Sequence, residues 1–133
     1  MRIERFTFIK ISQPEQPNIN EALQWLGSSL GLFSLRDKDS SCFRIFIELL
    51  KATKLGQELS SDELAHRASL SRGTVVFHLN KMIGAGIVVS GEDGYALRSA
   101  SVEEIIRLVE EDTVKLFSQL KNVGKSIDKK LGM

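Results

Sequence analysis

The sequence predicts a mainly α-helical protein with one small β-hairpin. Apolar residues recur at helical spacing through most of the chain, which is the pattern of amphipathic helices packed on a core. Near residue 90, two short runs of β-forming residues flank a Gly-Glu-Asp-Gly turn, which is typical of a hairpin. With 133 residues the chain is long enough to bury one sizeable core. We divide it into an N-terminal extension (1–36), a central domain (37–99) and a C-terminal helix (100–133).

The composition is that of an ordinary globular protein, with 42% hydrophobic and 26% charged residues and a formal net charge of +1. No apolar run approaches the roughly 20 residues that cross a bilayer. The N-terminus also lacks the apolar core of a secretion signal, so we expect a cytoplasmic protein with no membrane partner. Cys42 is the one cysteine and is expected to be a small buried residue. Because the chain has only two histidines besides this cysteine, we expect no metal. We expect no cofactor either.

The N-terminal extension is predicted to hold a strand and a helix. Residues 2–11 are rich in β-forming residues with partial period-two alternation, which predicts a strand. Its partner is either the hairpin sheet or a second copy of the chain. The segment 13–18 contains two prolines and breaks regular structure. Residues 19–34 have apolar positions at helical spacing, although Gly27 and Gly31 weaken this helix.

The central domain is predicted to begin with a helix over 42–53, opened by Asp39 or Ser40 as its N-cap. Its buried face is expected to carry four apolar residues: Phe43, Phe46, Ile47 and Leu50. A short helix follows Ser60, whose spacing to Glu63 fits a capping box. In a capping box each side chain satisfies a backbone N–H of the other residue.

A tight turn then leads into a further helix and the hairpin. The short helix is expected to end near Ala68, the turn to span 69–71, and Ser71 to cap a helix over 72–85. Gly86 is expected to end that helix, because glycine adopts positive φ at no steric cost. Two predicted strands complete the domain as a hairpin: 87–90 and 95–98.

This order of elements is that of a winged helix-turn-helix, whose second helix enters the major groove of DNA. The predicted recognition helix over 72–85 has an outer face that suits a duplex and an apolar stripe for the core: Val75, Leu79, Met82 and Ile83. We expect seven residues to contact DNA: Ser71, Arg72, Gly73, Thr74, Phe77, His78 and Lys81. Their hydroxyls and cations can reach phosphates or base edges, and Val76 with Phe77 can pack on thymine methyl groups.

Three short segments of the central domain occur in the order of a known family. They are Ser60-Ser-Asp-Glu-Leu-Ala65, Leu70-Ser-Arg-Gly-Thr-Val-Val-Phe-His-Leu79 and Gly86-Ile-Val88. In this order they resemble the ArsR-like winged helix-turn-helix regulators. The resemblance implies dimerisation through terminal helices and DNA contacts from Ser71, Arg72, Thr74, Phe77 and His78. The chain lacks the Cys-x-Cys box and the clustered His, Asp and Glu ligands of the metal-sensing members, so metal sensing is not expected.

The C-terminal segment is predicted to be a long helix that dimerises the protein. Apolar residues recur there at spacings of three and four, the pattern of a coiled-coil seam: Val102, Ile106, Val109, Thr113, Leu116, Leu120, Val123 and Ile127. Ser101 with Glu104 fits a second capping box, and the helix is expected to fray beyond Gly124. The alternative is that the seam packs on its own domain.

The sequence therefore favours sequence-specific binding of double-stranded DNA by a homodimeric transcription regulator. No phosphate-binding glycine loop, nucleophile elbow or metal-ligand pair supports an enzyme. The alternative function is a protein-interaction module without DNA binding. The net charge is nearly neutral, the hairpin tip carries Glu92 and Asp93, and Arg98 is the one cation near it. An exposed Phe77 fits a protein partner as well.

Overall fold

The computed structural model describes residues 3–34 and 40–133. Within these residues the chain forms five helices and two strands: α1 (Ile19–Ser29), α2 (Ser41–Lys54), α3 (Ser61–Ala68), α4 (Arg72–Gly84), β1 (Val88–Ser90), β2 (Tyr95–Leu97) and α5 (Val102–Lys130). The predicted fold class, mainly helical with one small antiparallel hairpin, is confirmed. The order of α2, α3, α4 and the hairpin is compatible with the predicted winged arrangement.

The core is built around α2, which packs against α3, α4 and β2. Ile45 and Leu49 of α2 are fully buried, as are Leu64 of α3 and Leu79 of α4. Cys42 lies in the same cluster, as expected of the lone cysteine. Each buried aliphatic side chain of this size contributes about 1.5–3 kcal/mol relative to its exposed state. Packing on α2 therefore fixes how α3 and α4 lie relative to each other.

The hairpin is tied to the start of α3. In the antiparallel register of β1 and β2, Val88 lies opposite Leu97 and Ser90 lies opposite Tyr95. Leu59, just before α3, exchanges two backbone hydrogen bonds with Tyr95 at 2.9 and 2.8 Å. This bridge holds the segment before α3 against the hairpin.

The strand predicted over residues 2–11 is wrong, since the described residues of that segment are extended but join no sheet. Arg5 donates its N–H to the carbonyl of Gly84 at 2.8 Å, and Ile9 donates to the carbonyl of Ser29 at 2.8 Å. These carbonyls belong to the last residues of α4 and α1, where carbonyls have no partner within the helix. The segment meets two helix ends rather than the edge of a strand, so no ladder forms.

The alternation that predicted a strand is realised as a segment with two faces. Ile3, Arg5 and Thr7 line a cleft beside α4 and the end of α1. Phe6 packs on the core and Phe8 lies beside α5. Successive side chains of an extended backbone point to opposite sides whether or not the backbone belongs to a sheet.

Helix α1 ends at Ser29, short of the predicted boundary, because Gly31 adopts a left-handed φ of 69°. The N–H of Leu32 donates to the carbonyl of Gly27 at 2.9 Å, as in a Schellman motif. Gly27 itself stays inside the helix and is covered by the Phe33 ring, which would lie 1.9 Å from a Cβ at that position. One glycine therefore ends the helix and the other makes room for an aromatic ring.

The start of α2 differs from the prediction. The helix begins after Ser40, but Ser40 has a φ of 51° and its side chain makes no capping hydrogen bond. Asp39, the other predicted cap, lies outside the described residues. The helix start is therefore not held by a Ser40 side-chain cap.

The buried face of α2 is rotated from the predicted one. Ile45, Phe46 and Leu49 are buried, and three residues of the predicted face are only half-buried: Phe43, Ile47 and Leu50. Ile45 and Leu49 belong to one cluster with residues of α3, α4 and the hairpin, whereas Phe43 packs edge-on against the Phe33 ring at 5.4 Å. The elements that surround α2 decide which of its apolar residues lie deepest.

Helix α5 runs to Lys130, so the fraying expected beyond Gly124 is wrong. The helix ends in a Schellman motif, with Gly132 at a φ of 75° and the N–H of Met133 bonded to the carbonyl of Asp128 at 2.8 Å. An interior glycine costs about 1 kcal/mol relative to alanine. A helix of 29 residues with a formed C-cap tolerates that cost.

The capping box of α3 is confirmed, whereas that of α5 is only half formed. Ser60 Oγ accepts from the Glu63 N–H at 3.1 Å, and Glu63 Oε1 accepts from the Ser60 N–H at 3.1 Å. At α5, Ser101 Oγ accepts from the Glu104 N–H, but the Glu104 carboxylate pairs with Arg107 instead. The hydrogen bonds from Ser60 lower the pKa of the Glu63 carboxyl below its ordinary value.

We expect the Glu63→Gln variant to lose stability near neutral pH but not in acid. Because the folded state lowers the pKa of Glu63, ionisation of this group favours folding above its ordinary pKa, and that contribution is lost as pH falls through the lowered value. The difference in unfolding free energy between wild type and variant should therefore shrink with falling pH. Urea titrations over a pH series measure it. A difference that stays constant from neutral to acid pH would contradict this role of the Glu63 carboxylate.

Candidate nucleic-acid interface

Helix α4 has one buried and one outward face, as the sequence predicts. Val75, Leu79 and Met82 are fully buried. Two of the seven predicted DNA-contact residues, Thr74 and His78, are half-buried. The other five are exposed: Ser71, Arg72, Gly73, Phe77 and Lys81. Helical geometry puts the residues from 73 to 81 in this set on one face, whereas Arg72 lies on the opposite side of the helix, where it pairs with Asp62 of α3. The outer face of α4 therefore consists of Gly73, Thr74, Phe77, His78 and Lys81, and Arg72 is exposed at the start of the helix.

The start of α4 is held by Ser71, whose Oγ accepts from the Thr74 N–H at 3.1 Å and donates to Thr74 Oγ1 at 2.8 Å. The Ser71 hydroxyl is thus engaged within the chain and sets the first turn. The Thr74 hydroxyl keeps its own hydrogen to donate outward. Amides of the first helical turn attract anions such as phosphate, because they carry the positive end of the helix dipole.

Helix α4 carries two cations and no carboxylate. Arg72 Nε lies 3.5 Å from Asp62 Oδ1, and both side chains are exposed, so this pair holds the guanidinium weakly. Lys81 Nζ donates to the carbonyl of Leu32 at 3.1 Å, which leaves its other hydrogens for an outside acceptor. At Gly73 no heavy atom lies within 4 Å of where a Cβ would stand, so the backbone is open to close approach.

Phe77 is the large apolar residue of the outer face. Its side chain is 66% exposed, and its ring meets the His78 ring edge-on at 5.2 Å. Val76 beside it is half-buried. An exposed aromatic ring in this position can pack on thymine methyl groups, and it can equally mark a protein contact.

The tip of the hairpin is more acidic than the sequence indicated. Glu58 Oε1 accepts from the Asp93 N–H at 2.9 Å, so Glu58 joins Glu92 and Asp93 around the turn. Sequence reasoning missed Glu58, because only the backbone bridge between Leu59 and Tyr95 brings it there. Three carboxylates at this tip oppose contact with a phosphate backbone.

Arg98, the cation near the hairpin, is engaged inside the protein. Its Nη1 lies 2.7 Å from Asp112 Oδ2 and also donates to the carbonyl of Gly86 at 3.4 Å. Both side chains of the pair are largely buried. Arg98 therefore joins the base of the hairpin to α5 and to Gly86, which follows α4, and it is not presented to a ligand.

The predicted seam of α5 is divided between the core and the surface. Val109 is buried in its own chain, and Val102, Ile106 and Thr113 are half-buried. The later seam residues are exposed: Leu116, Leu120, Val123 and Ile127. From residue 114 to residue 130 every residue except Gly124 is exposed, so this part of α5 extends beyond the core.

A groove opens at the base of this exposed part. Phe117, which the heptad spacing did not include, is 55% exposed and lies beside the seam. Phe8, Leu30 and Val109 line the same groove, whose volume is about 540 Å³. The groove is thus continuous with the exposed apolar stripe.

The N-terminal segment brings Arg5 to α4, where sequence reasoning placed no further cation. Arg5 lines one cleft together with Phe77, Asn80 and Lys81. The alternation of residues 3–8 indicated that Arg5 shares a side with Ile3 and Thr7. It did not indicate which helix that side meets.

Comparison of the chain with protein-family models, with curated proteins and with solved structures finds no match. Within residues 3–34 and 40–133, no group of three or more His, Cys, Asp or Glu side chains could hold a metal ion. In the same ranges, no helix has both the length and the apolar character needed to cross a bilayer.

We expect the ion pair between Arg98 and Asp112 to stabilise the fold and to take no part in DNA binding. Because it is largely buried, Arg98→Gln should lower the unfolding free energy by about 1–3 kcal/mol. A double-mutant cycle with Asp112→Asn, followed by urea denaturation, measures the coupling. Arg107→Gln removes two exposed pairs, with Glu104 and with Glu111, and should cost less. If Arg98→Gln and Asp112→Asn lower the unfolding free energy additively, the two side chains are not coupled and this assignment is contradicted.

Proposed function

We propose that this chain is a winged helix-turn-helix transcription regulator of the ArsR-like kind that binds double-stranded DNA as a homodimer in the cytoplasm. The observation that carries the proposal is the outer face of α4. This face combines Lys81 with an open helix start at Gly73, Arg72 is exposed at that same helix start, and the helix carries no carboxylate. A face of this kind suits the major groove, whose floor offers acceptors and whose walls are phosphates.

Each residue of the outer face, like Arg72 at the start of the helix, has a role that its surroundings favour. Arg72 and Lys81 neutralise phosphates or read a guanine, since both keep donors outside the chain. The Thr74 hydroxyl and the first-turn amides bind one phosphate, and Ser71 supports them by capping the helix. Phe77 packs on thymine methyl groups. His78 lies half-buried beside Phe77 and supports this ring.

The hairpin has a structural role in this proposal. Its carboxylates at Glu58, Glu92 and Asp93 keep the tip away from the phosphate backbone. Arg98, at its base, is bound to Asp112. DNA contact therefore rests on α4 rather than on the wing.

Dimerisation is supported by the exposed stripe of α5. Leu120 is 54% exposed, and Leu116, Val123 and Ile127 are also exposed on the same side. An apolar stripe of this length on one chain favours burial against a second copy. Two α4 helices related by two-fold symmetry would meet half-sites about 34 Å apart on a pseudo-palindromic duplex.

The DNA proposal is tested by fluorescence anisotropy with a random duplex over a salt series. We expect binding tighter than ~10⁻⁴ M at low salt, with a linear fall of log K against log salt concentration. Arg72→Gln or Lys81→Gln should reduce the slope by about 0.9 for each phosphate that the variant no longer neutralises. Selection of bound sequences from a random pool then gives the site.

Lys51→Gln is the matched control, because it removes the same charge from an exposed position on α2. It should leave the slope unchanged. Binding no tighter than ~10⁻⁴ M by the wild-type protein would end the proposal. If the wild type binds tightly but neither α4 variant changes the slope of log K against log salt concentration, the DNA-binding surface lies elsewhere on the chain.

The dimer is tested by sedimentation equilibrium of a double variant, Leu116→Glu with Leu120→Glu. We expect wild type to have twice the mass of one chain and this variant to have the mass of one chain, because two charges per copy would be buried in the seam. Lys115→Gln with Asn122→Glu makes the same change in net charge at exposed positions away from the stripe and should stay dimeric. Equal masses for wild type and the seam variant would show that the seam is not the interface.

A second candidate is a protein-interaction module, which the exposed Phe77 and the acidic hairpin tip favour. The DNA titration separates the two. A stable dimer that fails to bind duplex at low salt would favour the interaction module.

A further inference from the structure

A cleft between the N-terminal segment and α4 has the form of a small-molecule site. Its volume is about 540 Å³, within the usual range of ligand pockets. One wall is α4 from Phe77 to Gly84, and the other is formed by Ile3, Arg5 and Thr7. Residues that follow α1 close the third side.

The lining combines apolar surface with positive charge. Ile3, Leu30 and Leu32 supply aliphatic surface, and Arg5 and Lys81 are its charged groups. Among the described residues that line the cleft, none is Asp or Glu. Two cations at one apolar cleft attract an anion, and the aliphatic lining favours an apolar body attached to it.

Side chains alternate between two sides along the N-terminal segment, and this alternation keeps negative charge out of the cleft. Arg5 faces the cleft, whereas Glu4 points to the opposite side, where it lies near the hairpin and Asp112. Lys81 is held at the cleft by its hydrogen bond to the carbonyl of Leu32. Glu4, the one acidic residue within residues 3–11, is therefore directed away from Arg5 and Lys81.

We propose that this cleft binds an amphipathic monoanion, such as a carboxylate with an aliphatic body, and that the bound anion competes with DNA for α4. The carboxylate pairs with Arg5 and Lys81, and the body lies along Leu30 and Leu32. Competition rests on the proposed function, because Phe77 and Lys81 belong to both the cleft and the DNA face. Ligand binding in the cleft itself does not depend on DNA binding.

Decanoate below its micellar concentration is the probe, and decan-1-ol and decyltrimethylammonium are its uncharged and cationic matches. Calorimetry should show binding of decanoate that is about tenfold or more tighter than that of either match, since neither match can form the charge-assisted hydrogen bonds of a carboxylate. In ¹H–¹⁵N spectra, the amides of Thr7, Gly31 and Asn80 should shift. Shifts confined to the groove at Phe8 and Phe117 would overturn the proposed site.

The variants Arg5→Gln and Arg5→Glu test the charge in two steps. Both keep the backbone N–H that bonds to Gly84, so the segment should stay in place. We expect decanoate affinity to fall about tenfold in the first and further in the second. Lys10→Gln, on the same segment but outside the cleft, should bind decanoate as wild type does. Equal decanoate affinity for wild type and Arg5→Glu would overturn the proposal.

A competition experiment separates this inference from the proposed function. Decanoate should lower the affinity of wild type for duplex, and at the same decanoate concentration it should lower that of Arg5→Gln less. Decanoate binding without any DNA binding would end the proposed function and leave the site. If Arg5→Gln weakens DNA binding and the wild-type protein does not bind decanoate, the cleft contacts DNA instead. That result would overturn this inference.

Discussion

The burial of α2 among α3, α4 and the hairpin is the constraint on which the rest of the structure depends. Ile45 and Leu49 are inaccessible, and they belong to one cluster with Leu64 and Leu79. Protein cores are close-packed, so a helix that inserts side chains here has a fixed rotation about its axis. Because α4 buries Val75, Leu79 and Met82 in that cluster, its polar side must face outward. The candidate DNA surface is thus a consequence of core packing.

A second constraint links the hairpin to α5. Arg98 joins the base of the hairpin to Asp112, and Ile105 and Val109 anchor the same helix in the core. These contacts lie in the first half of α5, so the direction of the helix is set before its exposed stripe begins. A helix of 29 residues is about 44 Å long. Its far end is therefore carried away from the domain, in a position where a second chain could cover it.

The N-terminal segment connects the two surfaces. Its N–H groups bond to the last carbonyls of α4 and α1, and Leu30 lines both the cleft beside α4 and the groove beside α5. Hydrogen bonds from Arg5 and Ile9 and the packing of Phe6 hold this segment on the core. It is the part of the molecule where a ligand could act on α4 with little disturbance of the main core.

Local patterns in the sequence determined most of the secondary structure. The capping box of Ser60 with Glu63, the cap at Ser71 and the stop at Gly86 depend on neighbours within a few residues, which the sequence displays directly. The spacing of Val75, Leu79 and Met82 likewise identified the buried side of α4. The same spacing in α5 identified an apolar stripe. It could not divide that stripe between Val109, which is buried, and the exposed Leu120, because the division depends on where the domain ends.

Tertiary structure alone decided which elements and which side chains contact each other. The alternation of residues 3–8 gave a two-faced segment, but a strand needs an edge to pair with, and this segment meets the ends of α4 and α1 instead. The same holds for Glu58, which reaches the hairpin tip through the Leu59 bridge, and for Arg98, whose partner Asp112 is on another helix. Sequence spacing specifies the faces of each element, because those depend on backbone geometry alone. Which faces meet is decided by packing and long-range hydrogen bonds between elements.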